Sequence, residues 1–526
     1  MENNKADLAL CNGQVITVDK NDRIVEAVAI KDSQILEVGM NDDIKRFCCS
    51  NTQIIDLDGK VLIPGFIDAH THAALVGLVA SDAVVDCHMP PVESVDEILN
   101  KIRGRVKNTP KGQLVMAHGR FDQPYPTKEQ LDQVAPENPV IIKNSMHFYR
   151  LNSLALKEFN ITKKHPTQEE LLNICPGGII HRDPITREPT GCMEECLTYL
   201  FPKSYYPFSY DVIKKAVKVG VDRFSSAGVT SLTEFNDFPQ CLRAYQELYE
   251  NGDLNIKIQI VPCVHGLDKT TDLDSVIDLG LSTGFGNEWI RFMGIKIFVD
   301  LGKVTTLPSI KLNEMVLKAH KAGLRVYMHA ISRKAQEMAL EALEAAENEV
   351  PGKNMRHRIE HMGNEYLDPQ FFDRIKAIGA IAVPTAYFMR IGKQDWLNPN
   401  RDRAYPFKTL LDIGLCVPGN SDSGGSEPEA YSPLYQIWCM VTRKSKEGIE
   451  VYPEEKISVM DAIKIYTTHS SYAGFEEDLK GSIEVGKKAD FAVLRQNPLT
   501  VDEDFLKDIQ VDMTIVNGKV AYQLRN

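Results

Sequence analysis

Two histidines spaced by one residue close the run Gly65-Phe-Ile-Asp-Ala-His-Thr-His72. In an extended strand, residues i and i+2 face the same way, so His70 and His72 point together. Imidazoles are the commonest protein ligands for zinc-like metals. Two further histidines end apolar runs of the same kind: His329 in Arg325-Val-Tyr-Met-His329, and His361 in His357-Arg-Ile-Glu-His361. Asn420-Ser-Asp422 ends another such run. Any one of these histidines is most simply a packed core residue. Four of them at strand ends, together with an aspartate, make a metal-ligand set. Lys296 stands in the apolar run Gly294-Ile-Lys-Ile-Phe-Val-Asp300. A buried ammonium is costly unless it is paired or modified. One solution is an ion pair with a carboxylate such as Asp300. The other is carbamylation by CO2, which turns a cation into an anionic ligand able to bridge two metals.

Such side chains need a frame that brings several strand ends to one place. The middle of the chain alternates strand and helix. Residues 310–322 are helix-periodic and end at Gly323, residues 324–329 read as strand, and residues 333–349 are rich in Ala, Glu, Leu and Lys, a strong helix. Asp368-Pro369 opens a further helix in the N-cap–N1 manner, and Gly379 closes it. Repeated βα units mean a parallel sheet. The runs 65–72, 229–234, 256–264, 294–299, 324–329, 358–361, 380–384 and 415–422 make eight strands, the number of a (β/α)8 TIM barrel. Residues 83–227 fall between the first two and hold strands and turns of their own, including Cys175-Pro-Gly-Gly. They read as an insertion at the barrel mouth, inside a barrel spanning 65–474.

The two ends resemble each other. Leu8 to Val18 and Met513 to Tyr522 each read as strand, Asn-Gly turn, strand, the strongest short hairpin signal. Neither end has enough strands for a core of its own. Residues 1–64 and 475–526 are therefore expected to form one composite β domain.

Composition narrows the function. Hydrophobic residues are 43 % and charged residues 25 % of the 526, as in ordinary globular proteins. At roughly 150 residues per domain the length suggests three, though one barrel can absorb 250 or more. The 60 basic and 72 acidic residues leave a net charge of −12, which argues against nucleic acid as a partner. No apolar run reaches the roughly 18 residues of a membrane span, and the polar N-terminus lacks the order of a signal peptide. Eleven scattered cysteines with no Cys-x-x-Cys argue against a thiolate zinc knot and fit buried thiols in a cytoplasmic protein.

The motifs resemble those of the amidohydrolase superfamily of metal-dependent hydrolases, and within it the amidohydrolase 3 group. Val61-Leu-Ile-Pro-Gly-Phe-Ile-Asp-Ala-His-Thr-His72 is similar to the superfamily's strand-1 motif, and Gly481-Ser-Ile-Glu-Val-Gly-Lys-Lys-Ala-Asp-Phe-Ala-Val-Leu494 to its return into the small β domain. Pro126 to Asp132, Leu151 to Leu156, Glu188 to Gly191 and Ile463 to Tyr472 support the group. The resemblance implies a TIM barrel with a urease-like composite β domain and the large insertion after strand 1. It implies His70 and His72 as the first metal pair, Lys296 as the carboxylated lysine, His329 and His361 on a second metal, and Asp422 as ligand and general base. Ala330-Ile-Ser-Arg333 and Leu301 depart from the group's usual Gly-Asp and Gly beside the site, which bears on substrate preference.

The expected reaction is hydrolysis of a C–N bond in an amide, N-acyl or cyclic amide small molecule. The expected cofactor is a divalent metal, zinc first, two per chain, with one as the alternative. A mononuclear deaminase is the rival enzyme reading, and a non-catalytic regulatory barrel is the rival outside enzymes. His147, in Ser145-Met-His-Phe-Tyr149, can reach over the mouth as an oxyanion donor or substrate contact. Arg120 and Glu195 are weaker substrate-side candidates whose plainer reading is the surface. The partner is a small-molecule substrate, with no nucleic acid and no membrane; self-association into a homo-oligomer stays open.

Overall fold

The computed structural model describes residues 5–525 except 146, 176, 201–207, 237, 239, 267–268, 302–303, 391–403 and 425–428. Met146 and Pro176, within two of the motifs above, lie outside the described residues. Its centre is a mixed α/β fold around a curled parallel sheet. The strands are β1 (Phe66–Thr71), β2 (Val229–Asn236), β3 (Lys257–His265), β4 (Ile295–Phe298), β5 (Val326–His329), β6 (Arg358–Glu360) and β7 (Ile381–Val383). Each pairs in parallel with the next, from β1 to β7. Helices such as Ser309–Lys321 and Arg333–Glu349 connect them and cover the outside. Glycine at position 323, with φ +74°, ends the first of these helices as its position predicts.

The expected eighth strand, 415–422, is not a ladder strand. Asp422 has φ +41°, and the Gly419 backbone lies so close under the Tyr466 ring that an added Cβ would sit 2.5 Å from it. The segment nevertheless links β7 to β1. Ala69 N donates to Gly419 O (2.8 Å), Asp422 N to His70 O (2.8 Å) and His72 N to Ser423 O (3.1 Å). On the other side Asn420 Nδ2 donates to Pro384 O (2.8 Å).

Strands from both ends of the chain share one six-stranded sheet. Its order is Lys519–Gln523, Val511–Val516, Phe491–Leu494, Val61–Pro64, Gln14–Ile16, Ile24–Val25. A second sheet holds Gln34–Gly39, Ala27–Lys31, Leu8–Cys11 and Gln53–Asp56. Leu10, Ile30, Leu62, Phe491 and Ile515 pack between them in one core. The C-terminal Asn-Gly does form a hairpin: Val516 pairs with Lys519, and Asn517 and Gly518 both have positive φ, as the tight two-residue turn requires. The N-terminal Asn12-Gly13 does not. Only Asn12 has positive φ, and Leu8–Cys11 and Gln14–Ile16 part into different sheets.

The insertion forms a six-stranded sheet in the order Ile179–Arg182, Pro189–Glu194, Phe148–Leu151, Val140–Asn144, Val115–Gly119, Val85–Asp86. One face packs on helices Val95–Lys107 and Lys128–Val134 through Val115, Val140 and Ile142. The opposite face carries Ile141, Tyr149 and Met193, which pack with Cys263, Phe298 and Leu301 at the C-terminal ends of β3 and β4. Leu301, one of the departures noted above, is thus a buried contact between insertion and sheet. Helix Tyr210–Ser226 packs on helix Ala73–Ala80, within the core of the curled sheet. The two helices touch backbone to backbone, because a Cβ on Gly77 would meet Ala216 O at 1.8 Å and one on Gly220 would meet Ala73 O at 2.0 Å. Among the described residues no helix is long and apolar enough to cross a membrane.

Candidate metal centre

The parallel strands end together, and their last side chains meet. His70 and His72, from the end of β1, reach the same carboxylate oxygen: Asp422 Oδ1 lies 3.3 Å from His70 Nε2 and 3.2 Å from His72 Nε2. One ligand atom of each of these three residues falls within 4.8 Å of the others. His361 follows β6 and brings Nε2 to 3.7 Å from Asp422 Oδ2. Its ring centre lies 5.2 Å from that of His70 and 4.6 Å from that of His329, at the end of β5. His361 and Asp422 both adopt positive φ, which turns their side chains inward where the strand direction alone would not. All four histidines are buried. Burial, reinforced by the Lys296 ammonium and neighbouring imidazoles, holds His70, His329 and His361 well below the ordinary imidazole range. They are neutral, the form that binds metal. Burial pushes the Asp422 carboxyl up, but His70 and His72 beside it hold it below the usual carboxylate range.

Lys296 enters the same space from β4. It is buried, with its ammonium 4.4 Å from the Phe235 ring centre and 5.3 Å from that of Phe298. Burial pulls its pKa from 10.5 down to about 8, although Glu360 and Asp422 favour the charge. The ion pair with Asp300 is not formed. Asp300 instead accepts from Ile331 N (3.1 Å) and Ser332 N (2.8 Å), fixing the turn after β5. Ser332 caps helix Arg333–Glu349 by accepting from Ala335 N. Arg333 pairs with Asp368 at 2.7 Å and is half exposed, so this departure points away from the histidines.

Two further residues position these ligands and were not singled out in the sequence. Glu360 Oε2 lies 2.6 Å from His70 Nδ1, and the carboxylate also accepts from Arg358 Nε (2.7 Å) and Nη2 (2.8 Å). The carboxylate accepts, so Nδ1 carries the hydrogen and the Nε2 lone pair faces Asp422. A carboxylate behind a histidine is the usual device for orienting a metal ligand. The i, i+2 spacing of Arg358 and Glu360 on β6 was the available hint. Asp68 accepts from His70 N (3.2 Å) and Ser421 N (3.0 Å), tying β1 to the Asp422 segment. Burial raises its pKa to about 7 despite those bonds. Glu360→Gln is expected to weaken metal affinity about 10- to 100-fold without unfolding the chain. A competition titration against a chelator, beside a thermal melt, measures both.

From the insertion, His147 faces the cluster with its ring centre 6.4 Å from that of His329. Burial works against its charge, but Glu195 raises its pKa above the ordinary value. Glu195 and Arg120, whose plainer reading was the surface, are both buried. Glu195 packs against His147, whereas Arg120 Nε donates to Asp122 at 3.1 Å, and Asp122 in turn meets Lys446 at 3.1 Å. The buried Arg120 is thus held in a charged chain with Asp122 and Lys446.

The neutral imidazoles, the carboxylate between them and the oriented His70 tautomer suit a divalent cation. The sequence profile of the Amidohydrolase family matches residues 53–522. The chain belongs to the amidohydrolase family. This amidohydrolase is 28% identical to an N-substituted formamide deformylase of Arthrobacter pascens, over 98% of each chain. It is 28% identical to the putative amidohydrolase YtcJ of Bacillus subtilis, over 96% of this chain and 97% of that one. Its fold is similar to that of a solved metal-dependent hydrolase from Pyrococcus horikoshii, with a TM-score of 0.73 and 22% identity, covering 94% of this chain and 99% of the other.

Proposed function

We propose that this amidohydrolase hydrolyses the C–N bond of a small amide, N-acyl compound or cyclic amide, using divalent metal held by His70, His72, His329, His361, Lys296 and Asp422. The observation that carries the reading is the meeting of His70 and His72 on one oxygen of Asp422, with His361 on the other. A formamide deformylase among the relatives makes N-acyl compounds the first substrates to try. The curled sheet is read as a closed (β/α)8 barrel, with the sheets shared by the two termini as its composite β domain.

A bound divalent cation would acidify water and polarise a carbonyl. The protein's own groups do the rest. Asp422 is placed to take a proton from the attacking water and return it to the leaving nitrogen. Glu360 holds His70 in one tautomer. Phe235 lies tilted against His70, Phe298 and Phe388 stack on His329 and His361, and together they keep bulk water from the imidazoles.

Two cations, zinc first, are favoured by Lys296. Burial pulls its pKa down to about 8, so the uncharged amine is far more accessible near neutral pH than in an ordinary lysine. The uncharged amine is the form that attacks CO2. A carbamate there would offset charge that Asp422 and neutral imidazoles leave uncompensated. Lys296→Ala is expected to lower metal content from two towards one or none and to cut activity about 100-fold or more. Propionate should restore part of both. A variant with full metal content and full activity would remove Lys296 from the site and favour the mononuclear deaminase.

The experiment that tests the reading is a hydrolysis panel of N-substituted formamides, N-acyl amino acids and cyclic amides. It is run on protein purified without chelator, then on chelator-treated protein, then after zinc is returned. Cleavage that is lost and regained with the metal supports it. Deamination in place of amide cleavage would overturn the substrate class and keep the metal. Equal rates in all three samples would overturn the metal's role.

A further inference from the structure

The insertion sends one titratable pair towards the histidines, and its geometry is built in. His147 lies between strands Val140–Asn144 and Phe148–Leu151, and Glu195 directly follows Pro189–Glu194. Phe148–Leu151 and Pro189–Glu194 pair with Phe148 opposite Glu194, which puts the two residues side by side at the end of the ladder. Glu195 N donates to His147 O at 2.7 Å. The side chains then meet as well: His147 Nδ1 lies 2.9 Å from Glu195 Oε2 and 3.1 Å from Oε1. With Nδ1 clamped by both oxygens, the ring cannot turn freely. Nε2 is left at the opposite end, and among the described residues it has no hydrogen-bond partner. The His147 side chain keeps 27 % of its surface open, whereas Glu195 keeps 7 %. A carboxylate buried to that degree is costly without a cationic partner, and the imidazole is the partner it has.

We infer that His147 is a further catalytic residue, whose Nε2–H donates a hydrogen bond to the substrate carbonyl oxygen as that oxygen gains charge, with Glu195 as its positioning residue. The inference rests on the hydrolase reading above. The step balances without an added reactant. The water oxygen bonds to the carbonyl carbon, the C=O π pair moves onto the carbonyl oxygen, and the water proton goes to Asp422. The oxygen pair then re-forms the double bond. The C–N pair leaves on nitrogen, which takes the proton from Asp422. His147 stays an imidazolium throughout, with Nδ1–H given to the buried Glu195 carboxylate and Nε2–H to the oxygen, and acts only on the charge of that oxygen. Aimed donors of this kind act most strongly where charge develops. A donor supplied by the insertion also explains why that sheet packs on the ends of β3 and β4 rather than standing clear of them. Substrates whose carbonyl oxygen can turn towards the insertion, open N-acyl groups before rigid rings, should be favoured.

The test compares wild type, His147→Ala and Glu195→Gln, each purified with its metal, in three measurements: hydrolysis of 4-nitroformanilide, binding of phenylphosphonate as a tetrahedral anion, and metal per chain. His147→Ala should lower kcat about 100- to 1000-fold, the cost of one lost oxyanion donor. KM should stay within about threefold, metal per chain should not change, and phenylphosphonate affinity should fall about tenfold or more. Glu195→Gln should show the same pattern, more weakly. If His147→Ala unfolds, His147→Asn takes its place. Unchanged kcat and phosphonate affinity would overturn the inference. So would loss of metal together with activity, because His147 would then serve the metal and not the substrate. If wild type cleaves nothing in the panel yet binds phenylphosphonate through His147, the hydrolase reading fails and the anion-binding role of His147 stands. If His147→Ala leaves that binding unchanged in an inactive wild type, both fail.

Discussion

His70→Ala and His72→Ala should each lose metal and activity together. Both imidazoles leave β1 on the cluster side and converge on Asp422 Oδ1, at 3.3 and 3.2 Å. Removing either leaves Asp422 Oδ1 with one close nitrogen. Metal analysis of the purified variants should show the loss directly, and amide hydrolysis should fall about 1000-fold or more, since the activated water is lost with the metal. The thermal melt separates this from misfolding, because neither side chain belongs to the apolar cores. A fully metallated, active double variant would show that the metal sits elsewhere.

Asp422→Asn should be nearly as damaging for a different reason. The amide keeps an oxygen near His70 and His72 but cannot accept and return a proton. The kcat should fall about 100- to 10 000-fold, the range attributed to general acid–base catalysis. Part of the metal should remain, in contrast to the histidine variants. A variant retaining wild-type kcat would move the proton-transferring role away from Asp422.

The four histidines and Asp422 stand out in the sequence because a parallel sheet puts strand ends in one place and apolar runs ending in His or Asp mark those ends, while Lys296 stands out as a lone cation in an apolar run. The helices at 309–321 and 333–349 were equally plain, being long and periodic. What escaped depended on contacts between distant segments. Asn12-Gly13 has the composition of a hairpin turn, but the partners of its two strands lie in different sheets. The apolar run 415–422 looks like a strand, but Asp422 turns to positive φ to reach His70 and His72. Helix Tyr210–Ser226 could not be assigned to the curled sheet without its glycine contact to Ala73–Ala80. Glu360 sat inside a motif already noted, yet only the structure shows it holding His70.

The most direct measurement is metal per chain in wild-type protein purified without chelator in bicarbonate buffer, with activity followed as that metal is removed and returned. The account predicts close to two divalent ions per chain, and hydrolysis that disappears and returns with them. Protein that carries no metal as purified, or that cleaves amides equally well once stripped, would contradict it.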